Sequence, residues 1–175
     1  VIQALVDKSL VRRLPGGRLD LLASVQAFAG EVLRSPHAFP GSGPACAAAV
    51  ERRHGAHFAS YGTPDALLAL RQPVGEAAYR RLVAERANLV VASERALARA
   101  QGPTAARCAL AVWAIAEVQG PLSMGIDALR AALPLAGAEA GRVHQALGLA
   151  HLQTGRPDQA REHFLAARDH ATQAG

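Results

Sequence analysis

"ALGLAHLQTGRPDQAREHFLAARDHA", Ala146 to Ala171, decides the fold. Apolar and small residues recur at helical spacing on both sides of a Gly-Arg-Pro break. Two antiparallel helices joined at Gly155-Arg156-Pro157 are therefore expected. Leu147, Gly148 and His151 share a face of the first helix, and Ala160, Phe164 and Ala167 a face of the second. Moving back 35 residues brings Gly155 onto Gly120, Phe164 onto Leu129 and Ala167 onto Ala132, while Ala160 falls on Gly125. In that register Pro121 falls one place before Pro157, and bulky Trp113 stands where Gly148 does.

This period and the small–large–small spacing of the second helix resemble tetratricopeptide repeats, whose unit is ~34 residues. Composition agrees with closely packed helices: half of the 175 residues are hydrophobic but only 4% are aromatic, and alanine is abundant. Working upstream, Pro103 opens a helix at its first turn, where its missing N–H is least costly. One long helix is expected over 74–100, with Tyr79, Leu82, Leu89, Val90, Ser93 and Leu97 on its buried face. A short helix is expected over 64–70 and another over 45–61.

"SPHAFPGSGPA", Ser35 to Ala45, holds three prolines and two glycines and reads as a loop. The expected organisation is an N-terminal piece over 1–35, a linker over 36–44 and a helical array over 45–175. In the N-terminal piece, Val1 to Asp7 reads as helix with Ile2, Leu5 and Val6 on one face. Ser9 to Leu14 and Arg18 to Leu22 read as short strands around Pro15-Gly16-Gly17, where glycine supplies a positive φ. Alternation of Leu19 and Leu21 with Arg18 and Asp20 predicts a half-buried second strand. Ser24 is the expected N-cap of a helix running to about Arg34, with Val25, Phe28, Ala29, Val32 and Leu33 turned inward.

"LVDKSLV" (Leu5–Val11), the hairpin and "LLASVQAFAGEVL" (Leu21–Leu33) resemble the end of the winged-helix module in signal-transducing ATPases with numerous domains, the STAND class. "RRHGAHFA" (Arg52–Ala59) and "ERANLVVASERAL" (Glu85–Leu97) resemble the segment after that module in bacterial regulators. One block departs from the pattern: Gln26, Ala27 and Phe28 stand where relatives tend to carry Arg-Glu and an aromatic residue. The resemblance implies a mainly α chain, in which a short N-terminal β-hairpin (a winged-helix remnant) precedes antiparallel helical hairpins of a tetratricopeptide-like α-solenoid. It also implies a non-catalytic part of a cytoplasmic regulator, relaying nucleotide state from an ATPase domain upstream of Val1. An intramolecular contact to that domain is then expected, and the array is expected to continue beyond Gly175.

The chain has no GxxxxGK[ST] phosphate loop, so no nucleotide or other cofactor is expected on it. No G-x-S-x-G elbow or Cys-His signature marks a nucleophile, so no catalytic residue is assigned. Cys46 and Cys108 are far apart and outside any CxxC pair, which suits free thiols in a reducing, cytoplasmic setting. No stretch approaches the ~20 apolar residues that span a membrane. His54 and His57 share a helix face, but two ligands without a companion make an incomplete metal site, and no metal is assigned. His144 with His151, and His163 with His170, are each seven apart and are expected to line a helix seam or the surface.

Stacked helical hairpins present a surface lined by the first helix of each pair. Arg142, Gln145, Leu149 and Gln153 are the expected contacts there for a protein partner or small-molecule effector. The net charge of +5 raises the question of nucleic acid. The basic hairpin, with Arg12, Arg13 and Arg18, is expected to be a docking hairpin first; the alternative is a DNA wing that places these arginines on phosphates. Lys8 is the only lysine, and the arginines are spread along the chain rather than grouped on one face, which argues against nucleic acid as the partner of this chain alone.

Overall fold

The computed structural model describes residues 1–73 and 75–174; Val74, where one helix was expected to begin, and Gly175 lie outside them. The chain forms two compact units, Val1–Val50 and Glu51–Gly175. The fold is mainly α, with one short antiparallel sheet near the N-terminus.

In the first unit, α1 (Ile2–Asp7) leads into strands β1 (Val11–Arg13) and β2 (Leu19–Leu21), then α2 (Ala23–Arg34). The strands pair antiparallel, with Val11 opposite Leu21, Arg12 opposite Asp20 and Arg13 opposite Leu19. Gly16 and Gly17 both adopt φ +77°, the left-handed backbone that glycine takes without a Cβ clash. Three expectations fail here. Leu22, not Ser24, precedes the first turn of α2, and no side chain caps it. Leu19 and Leu21 are exposed while Asp20 between them is partly covered. On α2, Val25, Val32 and Leu33 are half-buried, but Ala29 is exposed and Phe28 is 67% exposed. The cause is size: two three-residue strands and short helices within fifty residues bury too little surface to cover an apolar stripe. The expected loop is present between α2 and α3 (Pro44–Ala59), and the division between the units falls within α3.

The second unit is helical. After α3 come a 3-10 turn at Ser60–Gly62, α4 (Pro64–Ala69), α5 (Gly75–Ala84), α6 (Arg86–Ala98), α7 (Gly102–Gln119), α8 (Leu122–Ala132), α9 (Ala140–Gln153) and α10 (Pro157–Ala174). Thr63 caps α4 by accepting a hydrogen bond from the Ala66 N–H. The single helix expected over 74–100 is interrupted at Glu85, whose N–H bonds the Leu82 carbonyl three residues back. With the break there, Leu82 and Leu89, on either side of it, are both buried in the core around α7. Ser93 is buried as expected, and Tyr79, Val90 and Leu97 are half-buried.

Helix α7 is the axis of this unit. It is apolar almost all round, and such a helix belongs in an interior. One side meets α8 and α9 through Leu110, Trp113, Leu129 and Leu147. The other meets α3, α5 and α6 through Cys108, Val112, Ile115, Phe58, Leu82 and Leu89.

The hairpins α7/α8 and α9/α10 are the two copies of the 35-residue register, and each turn carries a positive-φ glycine, Gly120 and Gly155. The packing explains the odd tryptophan. In α9/α10, Gly148 of the first helix faces the Phe164 ring of the second; a Cβ there would stand 2.5 Å from the ring. In α7/α8 the sizes are exchanged. Trp113 occupies the position of Gly148, and Gly125 of α8, in the position of Ala160, gives it room: a Cβ on Gly125 would stand 2.8 Å from Trp113 Cε3.

Candidate functional site

A groove of about 500 Å³ opens between α4, α7 and α9. Its walls are set by the hairpin arrangement. α7 and α9 are the first helices of the two repeats, and residues 110, 113, 114, 117 and 118 of α7 lie at helical spacing opposite 142, 145, 146 and 149 of α9. α4 closes the third side with Leu67 and Leu68. Trp113 forms the floor at 4% exposure, and Leu68 and Val118 stand at the rim at 59% and 69%. A mostly apolar cleft with a few polar groups, of this volume, is the usual form of a small-molecule site (~300–1,000 Å³).

Three of the four residues expected on an effector surface line this groove: Arg142, Gln145 and Leu149. Gln145 is exposed and Leu149 half-buried. Gln153 lies outside the lining, one turn further along α9, where its Nε2 donates to Glu117 Oε1 of α7 at 3.4 Å. Arg142 has a second task. Its Nη1 donates to Glu139 Oε2 at 2.6 Å and its Nη2 to the Gly62 carbonyl at 2.7 Å. Glu139 also accepts from Arg107 Nε of α7 at 2.6 Å. Gly62 lies so close to α7 that a Cβ would stand 1.8 Å from the Arg107 carbonyl oxygen. One carboxylate thus ties α9, α7 and the turn before α4 together beneath the groove. Burial alone would raise the Glu139 pKa, but hydrogen bonds and charge from Arg107 and Arg142 outweigh it and hold the carboxyl below its ordinary value. The Arg71 side chain, at the outer edge, has no ion pair or hydrogen bond among the described residues and is the cation available to a ligand.

Sequence reasoning missed Leu67, Leu110 and this Glu139 centre. The Glu-x-x-Arg spacing of Glu139 and Arg142 is visible in the sequence; the approach of Gly62 to α7, 45 positions away, is not.

Six of the seven histidines fall into two groups. His54 and His57 pack their rings against Phe58, with centroids 4.6 and 4.9 Å away. Burial, with Arg95 and His57 nearby, lowers the His54 pKa. The other four do line a helix seam. From α9 and α10 alternately, His151, His163, His144 and His170 form a ladder with successive centroid separations of 5.3, 5.1 and 5.6 Å. Among the described residues, no three histidine, cysteine, aspartate or glutamate side chains are placed to hold a metal ion.

In the N-terminal unit, Arg12 is paired with Asp20 across the strands and Arg13 donates to Gln3. Arg18 bonds along the turn through its backbone carbonyl, which accepts from the Leu14 N–H at 2.8 Å. No helix among the described residues is long and apolar enough to cross a membrane. Compared with known proteins, the chain has no match: no family model, no curated protein and no solved structure.

Proposed function

We propose that this chain is a non-catalytic sensor segment of a cytoplasmic, STAND-class signal-transducing ATPase, and that the α4–α7–α9 groove takes its effector. The single observation carrying the binding part is that Arg142, Gln145 and Leu149 converge on an apolar cleft floored by Trp113. The blocks "LVDKSLV", the hairpin and "LLASVQAFAGEVL" support the wider assignment, as the end of a winged-helix module leading into helical repeats. The occupant is a small apolar molecule with an anionic end: the cleft has the volume of a small-molecule site, and Arg71 at its edge is unpaired among the described residues. In the parent protein, effector binding biases docking of the ATPase domain against this segment, so that nucleotide state and effector occupancy report on each other.

Trp113 is the only tryptophan, so the cleft carries its own reporter. Medium-chain fatty acids and aryl carboxylates are the first probes. Saturable change of Trp113 emission is expected, with affinity reduced at least tenfold by Leu149→Glu and several-fold by Arg71→Ala. Binding that leaves Trp113 emission unchanged and is indifferent to Leu149→Glu would place the site elsewhere. A protein that competes with these probes would make the effector a polypeptide.

A further inference from the structure

We propose that the four-histidine ladder between α9 and α10 is a pH-sensitive latch that holds the last hairpin closed when neutral and releases α10 on acidification. The latch does not depend on the occupant of the α4–α7–α9 groove.

The ladder is contiguous. Seven-residue spacing on each helix, in antiparallel register, interleaves His151, His163, His144 and His170. At its centre, His144 Nδ1 and His163 Nδ1 are 2.9 Å apart. Two imidazoles at that distance bind through one proton: one nitrogen donates and the other must keep its lone pair. A first added proton can rest on the outer nitrogen of the donor ring and leaves this bond intact. A further proton on the other ring removes the acceptor and sets two like charges in contact. His151, one step along, is 1% exposed and its Nδ1 has no partner among the described residues. A charge there finds no compensation.

The charges acting on the ladder from its surroundings deepen the effect. Arg130 of α8 acts on His151 and His163, and Arg156 of the connecting turn acts on His151; both oppose protonation. Only Glu162, on α10 itself, favours it, at His163. α7 contributes no charge to the set acting on these rings. Burial first, then neighbouring positive groups, lower the pKa values of His144, His151 and His163. For a base lowered in the folded state, stability is complete above the ordinary value near 6.5 and is lost as pH falls below it. Protons have a route in. His170, at one end of the ladder, borders an open depression of about 710 Å³ that Gly141, Arg142 and Phe164 also line.

The hairpin has a built-in control, since α7 and α8 contain no histidine. Amide hydrogen exchange, expressed as protection factors so that intrinsic rates divide out, is measured on the whole chain at pH 7.5 and 5.5. Protection in α10 is expected to fall about tenfold for each proton the closed hairpin excludes, while α7 keeps its own. His144→Asn with His163→Asn should remove most of that fall. Equal protection at both pH values, or the same fall in the Asn variant, overturns the latch. Should the variant not fold, imidazole NMR of the unaltered chain decides. Titration of the His144 and His163 rings below pH 6.5 supports the latch, and midpoints at or above 6.5 refute it.

Discussion

Gly148 Cα faces the Phe164 ring so closely that a methyl group added there would stand 2.5 Å from Cε1 and 2.7 Å from Cδ1. The absence of a side chain at 148 therefore sets the distance between α9 and α10. One hairpin upstream, Gly125 and Trp113 exchange the roles: the large residue moves to the first helix and the glycine to the second.

Gly148→Ala is expected to destabilise the chain by about 1–2 kcal/mol. Overpacking costs ~1–3 kcal/mol, partly offset by the ~0.5–1 kcal/mol that alanine gains over glycine within a helix. Phe164→Leu added to it should recover part of the loss, because the added methyl then has room. Urea unfolding of the two single variants and the pair, analysed as a double-mutant cycle, gives the coupling. Additive losses would mean that the two residues do not share this contact.

Glu139→Gln tests the centre beneath the groove. Glu139 is nearly buried, but its partners Arg107 and Arg142 are partly open to water, with side chains 42% and 26% exposed. The expected loss is therefore about 1–2 kcal/mol, below the ~3–5 kcal/mol of a fully buried pair. Because the folded carboxyl titrates below its ordinary value, the wild-type protein holds this stability above pH ~4.5 and loses it as pH falls further. Urea midpoints of wild type and Glu139→Gln should converge between pH 6 and pH 3.5. A constant difference across that range would show that the carboxylate charge is not what stabilises.

Much of the helical unit was legible because its signals are local. The 35-residue register, Gly120 and Gly155 at the turns and Pro103 at a first turn each depend on neighbours in sequence. The groove was half legible for the same reason: Arg142, Gln145 and Leu149 share the face of one helix. What α4 and α7 add to it depends on tertiary approach. The Glu85 break was hidden because the apolar pattern of 76–98 runs through it without a proline or glycine. In the N-terminal unit the pattern itself misled: Leu19, Leu21 and Phe28 are spaced as buried residues are, but the fifty-residue unit leaves them exposed.

Thiol reactivity should distinguish the two cysteines. Cys108 is fully buried on α7, and burial pushes its thiol up to about 12. Its thiolate is absent at pH 8, and the thiolate is the reactive form. Cys46 is partly open. Ellman's reagent at pH 8 should therefore release one equivalent from the folded chain and a second only in denaturant. Cys46→Ser should abolish the first. Fast release of two equivalents without denaturant would show that the core around α7 opens readily.

The hairpin arginines give the sharpest test between docking and a DNA wing. Arg12 lies opposite Asp20 in the strand register and is paired with it, while Arg13 donates to Gln3. A phosphate would have to displace these partners. Exposed pairs are worth only ~0–1 kcal/mol, so displacement is cheap, but the carboxylate of Asp20 stays beside the phosphate and repels it. Fluorescence anisotropy with a labelled duplex at low salt should change less than twofold when Arg12, Arg13 and Arg18 are all replaced by alanine. A wing would give a different result: at least a tenfold loss, with the dependence of log K on log salt shallower by about 2–3 for the three lost phosphate contacts. Asp20→Asn separates the cases once more. It should raise duplex affinity if the hairpin meets phosphate, and leave it unchanged if the hairpin docks on protein.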